Sequence, residues 1–410
     1  MGLFMTTFLI VVAAMVLTLV LLKRKIPIGV AILAGGIFIW LMTGPTFAEL
    51  KNAVVQMGTM PRSYDLVFAL YLVICLEIEL RKSGCLAGMV EALSRMFSSR
   101  KFTLAVMPAF LGLLPSIGGA RFSAPIVQEA AKGFNATAED KAAINFWFRH
   151  IFEFSSPLVP GMILACGIAG VKIGDLIIYL GWLTIAAFIL GWIVMVRGLK
   201  EDGTVESKLV TREEAHRHNW DFILSLIPVL ANVFLMVAFG LYASVSMIIV
   251  VIAMIPILML FNRHVSVKEV FIDALDFKMF ANVISILLFI QLLESTGVLG
   301  QIVEAFQASP LPIPVIIAFL SFFIGMLTGL SQGHVAIMMP IVAAIAPGNL
   351  DLVAIAMVFG VAGQMVTPTH LCLTITVDYF KSDFFKTLKP VLYAQIPLSI
   401  LFAVVTYFVY

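Results

Sequence analysis

Apolar runs of spanning length recur along the chain near residues 3–22, 26–43, 64–80, 143–168 and 174–196, and again near 220–240, 243–261, 279–293, 351–377 and 387–410. A membrane-crossing helix needs roughly 20 such residues, so the pattern predicts about ten crossings. Between the two sets lies Arg197–Asn219 (RGLKEDGTVESKLVTREEAHRHN), the one long charged stretch. It reads as a cytoplasmic linker, 197–219, joining a first half, 1–196, to a second, 220–410.

Two further apolar segments, about 102–134 and 312–347, are long for one crossing and carry a Gly/Ser-rich break in the middle. Each is expected to be a re-entrant hairpin. Irregular backbone in a bilayer is tolerated only where protein buries it or water reaches it. The first break reads LPSIGGARFSAPIV (Leu114–Val127) and the second TGLSQGHV (Thr328–Val335).

The halves match in order. SGCLAGMVEAL (Ser83–Leu93) pairs with TGVLGQIVEAF (Thr296–Phe306). The hairpins align at Ser116/Ser331, Gly118/Gly333 and Pro125/Pro340. EFSSP (Glu153–Pro157) pairs with QMVTP (Gln364–Pro368). Each match recurs about 210 positions later, which is an internal repeat. Five crossings per half is an odd number, so the repeats are expected to be inverted. The expected fold is an all-α polytopic membrane protein of two inverted five-span repeats. Each holds a re-entrant hairpin and a broken span, at about 143–168 and 351–377. The segments near 84–97 and 297–308 have the apolar spacing of interfacial amphipathic helices.

Charge placement orients the chain. Lys23, Arg24, Lys25, Arg81, Lys82, Arg95, Arg100, Lys101, Arg197, Lys200, Arg212, Arg217, Arg263, Lys268, Lys381, Lys386 and Lys389 all fall on one side of this scheme. By the positive-inside bias that side is the cytoplasm. Both termini then lie outside. Composition agrees: 61% of residues are hydrophobic and 12% charged, against about a quarter charged in soluble domains. No basic tract points to nucleic acid. Met1–Thr7 lacks a basic start, so the first run is expected to remain a span. Cys75, Cys85, Cys166 and Cys372 form no CxxC pair, and read as small apolar residues, neither disulfides nor metal ligands.

The breaks carry the candidate chemistry. Interrupted helices expose N–H and C=O ends at low dielectric, ready for an anion and a coordinating cation. Pro115 with Gly118 and Gly119 breaks the first hairpin, Ser116 and Ser123 offer hydroxyls, and Arg121 offers a fork of donors for a carboxylate. An intramembrane arginine is costly and usually functional, although pairing with Glu153 would be a structural alternative. At the second tip stand Ser331, Gln332, Gly333 and His334, the last able to bind substrate or carry a proton. The broken spans add Ser155, Ser156 and Pro157, then Thr367, Pro368, Thr369 and His370. Proline frees a carbonyl, and neighbouring hydroxyls make an oxygen environment suited to Na⁺. Glu153 is a candidate proton carrier. No HExxH pattern accompanies His150 and Glu153, so metalloenzyme chemistry is not expected.

On these residues the chain resembles the ion transporter superfamily, which includes divalent-anion/sodium symporters, citrate, gluconate and C4-dicarboxylate carriers. LPSIGGARFSAPIV resembles a prokaryotic family within that group that has several predicted spans and no assigned substrate. The symporters carry Ser-Asn-Thr at each tip; here those positions read Ser116-Ile117-Gly118 and Ser331-Gln332-Gly333. The resemblance implies an elevator mechanism, a homodimer and a bacterial or archaeal cytoplasmic membrane. It places Ser116, Gly118, Ser331 and Gly333 around substrate and cation, and Ser156, Pro157, Thr367 and Pro368 at the helix breaks.

The sequence thus suggests a secondary active transporter of a small organic anion, coupled to H⁺ or Na⁺, with no cofactor beyond a coupling Na⁺. Its partners would be the anion, the bilayer and a second copy. A cation/proton antiporter, with Glu153 and the histidines as carriers, is one alternative. A non-transporting accessory membrane subunit is another. No Ser-Lys, Ser-His or paired-Asp constellation marks an enzyme.

Overall fold

The computed structural model describes residues 2–24, 26–44, 46–97, 99–113, 119–201 and 211–409. Within these the secondary structure is helical, apart from an isolated bridge between Phe134 and Glu201. Among the described residues, five helices are long and apolar enough to cross a membrane: Ile173–Val196, Arg212–Ala238, Ala243–Leu260, Phe277–Ser295 and Phe384–Phe408. They carry large apolar side chains on their outer faces, among them Ile178, Ile185, Leu230, Phe234, Ile252 and Phe408. Water would not tolerate so much exposed apolar surface, whereas hydrocarbon does. The chain is therefore a multi-pass membrane protein.

Several expected spans are built from shorter pieces. Residues 143–168 comprise Ala138–His150, a 3₁₀ turn at Ile151–Phe154 and Pro160–Ala169. Residues 351–377 comprise Leu350–Met365 and Leu371–Phe380. Both interruptions fall at the Ser-Ser-Pro and Thr-Pro-Thr-His stretches, where proline cannot donate to the helical ladder. The linker is shorter than its charge suggests. Thr211 accepts from the Glu214 backbone N–H at 3.2 Å while the Glu214 carboxylate accepts from Thr211 N at 3.0 Å. This reciprocal cap starts the helix Arg212–Ala238 well before the apolar run begins. The sequence reading also passed over the amphipathic helix Phe47–Thr59, opened by a similar box between Thr46 and Glu49.

The chain folds into two compact units. One comprises residues 1–70, 163–172 and 276–367; the other comprises 71–162, 173–275 and 368–410. Each draws on both halves of the sequence.

In the first unit, Ile28–Met42 packs on Phe277–Ser295. The contact is close: Gly29 N donates to Asn282 Oδ1 at 3.0 Å, and any side chain at Gly29 would strike the Asn282 backbone. The hairpin Ile313–Thr328 and Ser331–Ile345 lies here. Its first arm packs along Leu350–Met365, with Gly325 against the Gly360 carbonyl. Small residues at such crossings let helices associate by van der Waals contact where lipid supplies no hydrophobic drive.

In the second unit, Cys85–Met96 packs on Arg212–Ala238, and the hairpin Arg100–Leu113 and Gly119–Ala130 packs on Ala138–His150. That last helix is nearly buried all round. Phe146, Trp147 and Phe148 are fully enclosed, and Trp147 Nε1 donates to the Ala187 carbonyl at 2.9 Å.

The repeat seen in sequence has a local structural counterpart. Gly84 and Gly297 both adopt a left-handed backbone, φ +80° and +68°, immediately before the amphipathic helices Cys85–Met96 and Val298–Gln307. A non-glycine residue would be strained at either position. A hairpin of two packed helices and an interrupted helix follow in each half.

Candidate functional site

The polar groups of the first half gather in the second unit. Ser116 and Gly118 lie outside the described residues. Gly119 and Arg121 open the helix Gly119–Ala130, of which only the backbone is described at these positions. The incoming arm ends at Leu113, whose carbonyl accepts a hydrogen bond from Ser156 Oγ at 3.3 Å. Ser156 Oγ also accepts from Leu158 N at 3.2 Å. The interruption at Ser155–Pro157 is thereby tied to the end of the incoming arm. Ser155 hydrogen-bonds Thr184 at 2.7 Å. Both serines hydrogen-bond protein partners, and Pro157, next in sequence, is buried. Glu153 sits in the 3₁₀ turn just before, with one carboxylate oxygen buried and lacking a hydrogen-bond partner.

The polar groups of the second half divide between the units. Ser331, Gln332, Gly333 and His334 form the first turn of Ser331–Ile345 in the first unit. Ser331 and Gly333 are buried and Gln332 half-buried. His334 is fully enclosed, and neither of its ring nitrogens has a hydrogen-bond partner. Its imidazole rests against Gly360, where a Cβ would fall on the ring. Gln364 and Thr367 are buried in the same unit. Pro368 and Thr369 are exposed and His370 is buried, in the second unit.

One grouping is invisible to sequence spacing. His150 ends Ala138–His150, His370 caps Leu371–Phe380, and Cys372 lies one residue into that helix. Their ligand atoms all lie within 4.8 Å of one another. The apolar reading of Cys372 therefore does not describe its surroundings: two imidazoles and the Arg149 side chain stand around its thiol. His150 belongs to the first half of the chain and His370 and Cys372 to the second, so no local motif announces them. The signal available was weak: three ring or thiol donors, each beside a helix break. Their donor set, two nitrogens and a sulfur, is one that binds transition metals.

What the arrangement offers is a pair of helix interruptions, each following a helical hairpin, with partly unsatisfied buried polar groups beside them. Such interruptions present backbone dipoles to a ligand.

The fold is shared with a solved structure. The crystal structure described as "Crystal structure of the Alcanivorax borkumensis YdaH transporter reveals an unusual topology" superposes with a TM-score of 0.59 at 14% sequence identity, covering 84% of this chain and 86% of that one. No curated protein matches the sequence. Residues 5–410 match the family described as "Protein of unknown function (DUF401)", and the chain belongs to that family.

Proposed function

We propose that this protein is a secondary active transporter of a small organic anion, a carboxylate, coupled to H⁺ or Na⁺. The observation that carries the reading is His334. Its imidazole is fully enclosed in the first turn of the second arm of the second hairpin, with both ring nitrogens unsatisfied. Burying a polar group without a partner costs about 1–3 kcal/mol. A group kept at that cost is suited to a partner that comes and goes, a proton or a ligand.

Three features support the same reading. Each half places an interrupted helix after a helical hairpin. Arg121 lies in the first turns of the helix that leaves the first tip and can hold a carboxylate through two parallel hydrogen bonds. The solved protein sharing the fold is described as a transporter. In this proposal the substrate-binding residues are Ser116, Gly118, Gly119, Arg121 and Ser156 of the first half, and Ser331, Gln332, Gly333, His334, Thr367, Thr369 and His370 of the second. Glu153 and His334 take the coupling proton, or oxygen atoms at Pro157 and Pro368 take Na⁺. Inverted repeats moving as an elevator, in a homodimer within a prokaryotic cytoplasmic membrane with both termini outside, complete the reading.

The test is uptake into proteoliposomes from a panel of mono-, di- and tricarboxylates, under an imposed Na⁺ or proton gradient. Accumulation that Arg121→Ala abolishes, in a variant that still purifies folded, is expected. Accumulation unchanged in that variant removes the anion role. Cation-for-proton exchange without carboxylate would instead make the protein an antiporter.

A further inference from the structure

The His150–His370–Cys372 grouping has the properties of a built site. Both histidines are buried, at 7% and 4% exposure, and their rings stand perpendicular with centroids 4.8 Å apart. Phe146 walls both, with centroids 4.7 and 5.1 Å from the two rings. An apolar wall keeps water from competing for the donors.

The tautomer of His150 is fixed by its partner. Nδ1 lies 2.6 Å from the Phe146 carbonyl oxygen, which can only accept, so Nδ1 carries the hydrogen. Nε2 is left with its lone pair. A backbone carbonyl holding one ring N–H while the other nitrogen coordinates is the usual outer-sphere arrangement of a metal-binding histidine. The two ligand-bearing helices are held in register by Asn145 Nδ2, which donates to Thr376 Oγ1 at 3.1 Å. Cys372 is only part-buried. Arg149 contacts its side chain, supplying a counter-charge to a thiolate.

The donor chemistry selects the ligand. One thiolate and two imidazoles suit a soft or borderline cation. Na⁺, Mg²⁺ and Ca²⁺ require oxygen ligands that this cluster does not supply. Ligand bonds of about 2.0–2.3 Å would draw the three donor atoms together by roughly one ångström, a shift within side-chain rotation. Three protein ligands leave a fourth position open.

We propose that His150, His370 and Cys372 bind one soft or borderline transition-metal cation, Cu⁺ or Zn²⁺, through two imidazole nitrogens and one thiolate. As the metal–sulfur bond forms, the Cys372 proton passes to solvent. The bound ion ties the end of Ala138–His150 to the start of Leu371–Phe380. Each of these helix ends borders an interruption, so the ion stiffens the backbone there. This inference does not rest on the transporter reading.

The experiment uses the full-length protein in detergent, stripped with a chelator and re-equilibrated with Zn²⁺, Co²⁺, Cu⁺ or Mg²⁺ separately. Bound metal is counted by elemental analysis after dialysis, and Co²⁺ is followed by its thiolate charge-transfer band. One Zn²⁺, Co²⁺ or Cu⁺ per chain is expected, with no retained Mg²⁺. Cys372→Ser should abolish the charge-transfer band. His150→Gln and His370→Gln should each weaken Zn²⁺ binding at least ten-fold. Zn²⁺ should raise the melting temperature of the parent protein and not that of Cys372→Ser, whose metal-free melting temperature serves as the check on folding. Metal retained equally by the Cys372→Ser variant, or no metal retained by the parent protein, overturns the proposal. Because transport is not measured, failure here leaves the uptake result standing, and the reverse also holds.

Discussion

Two buried polar sites, one in each unit, have opposite hydrogen-bond inventories. In one, Arg263 Nε donates to Asp221 Oδ1 at 2.6 Å, Nη1 to the Phe261 carbonyl at 3.0 Å and Nη2 to the Arg217 carbonyl at 3.3 Å. Both charged side chains are under a tenth exposed. In the other, His334 is fully enclosed with neither ring nitrogen bonded. The first site spends every main direction of its guanidinium on the protein and acts as a clamp beside the start of Arg212–Ala238. The second keeps its donors and acceptors in reserve. Burial alone would rank the two alike; the count of satisfied atoms separates structure from candidate chemistry.

That difference is broken most forcefully at Asp221. Asp221→Ala leaves the Arg263 guanidinium buried without its counter-ion and should cost about 3–5 kcal/mol. Denaturant or thermal unfolding in detergent measures it. Replacing both partners with apolar residues of similar volume should recover most of the loss, because the pair itself contributes little net energy. If the single variant is as stable as the parent, the clamp is not one.

The next largest effect is expected at Gly360. Gly360→Ala places a methyl on the His334 ring, and overpacking of this kind costs about 1–3 kcal/mol. Combining it with His334→Ala should relieve the clash, so the two changes should be strongly non-additive. Additive losses would mean that the imidazole does not lie where the structure puts it.

His334→Leu sharpens the contrast from the other side. Removing an unsatisfied buried polar group should alter stability by less than about 1 kcal/mol, or raise it. Ligand-dependent thermal stabilisation and uptake should nevertheless be lost. A large destabilisation with transport intact would make His334 structural and remove the observation on which the proposed function stands.

The smallest effect is at the surface. Glu139 accepts from the Asp383 backbone N–H at 3.2 Å, and that bond holds its carboxyl below the ordinary value of 4.5. A carboxyl with a depressed folded value binds its proton more readily when unfolded. Its contribution is therefore complete above pH 4.5 and fades as pH falls through the lower folded value. Glu139→Gln should flatten that small acid-side slope and leave stability near neutral pH almost unchanged. An unaltered slope would show that the bond is absent in solution.

Much of the fold was legible in the chain. Apolar runs located the long helices, and prolines with neighbouring Ser, Thr and Gly located the interruptions at Ser155–Pro157 and Thr367–Pro368. These are local effects: a proline removes a ladder hydrogen bond whatever surrounds it. The reach of the linker was less legible. Its charge suggested loop as far as Asn219, whereas the box of Thr211 and Glu214 starts a helix within it. A cap satisfies backbone donors locally and outweighs polarity as a signal.

The site was only partly legible. Sequence singled out Ser155 and Ser156 as hydroxyls beside a helix break; the structure adds their partners, Thr184, Leu113 and Leu158. It read Cys372 as apolar; the structure sets its thiol beside two imidazoles. The sequence by itself determined where helices run, where they stop and which side chains are polar within apolar stretches. Each of those follows from bonds and packing among near neighbours in the chain. Only the tertiary structure decided which polar side chains are satisfied, which are left over, and which meet from opposite halves. Those outcomes depend on contacts between residues from tens to more than two hundred positions apart, beyond the reach of any local pattern.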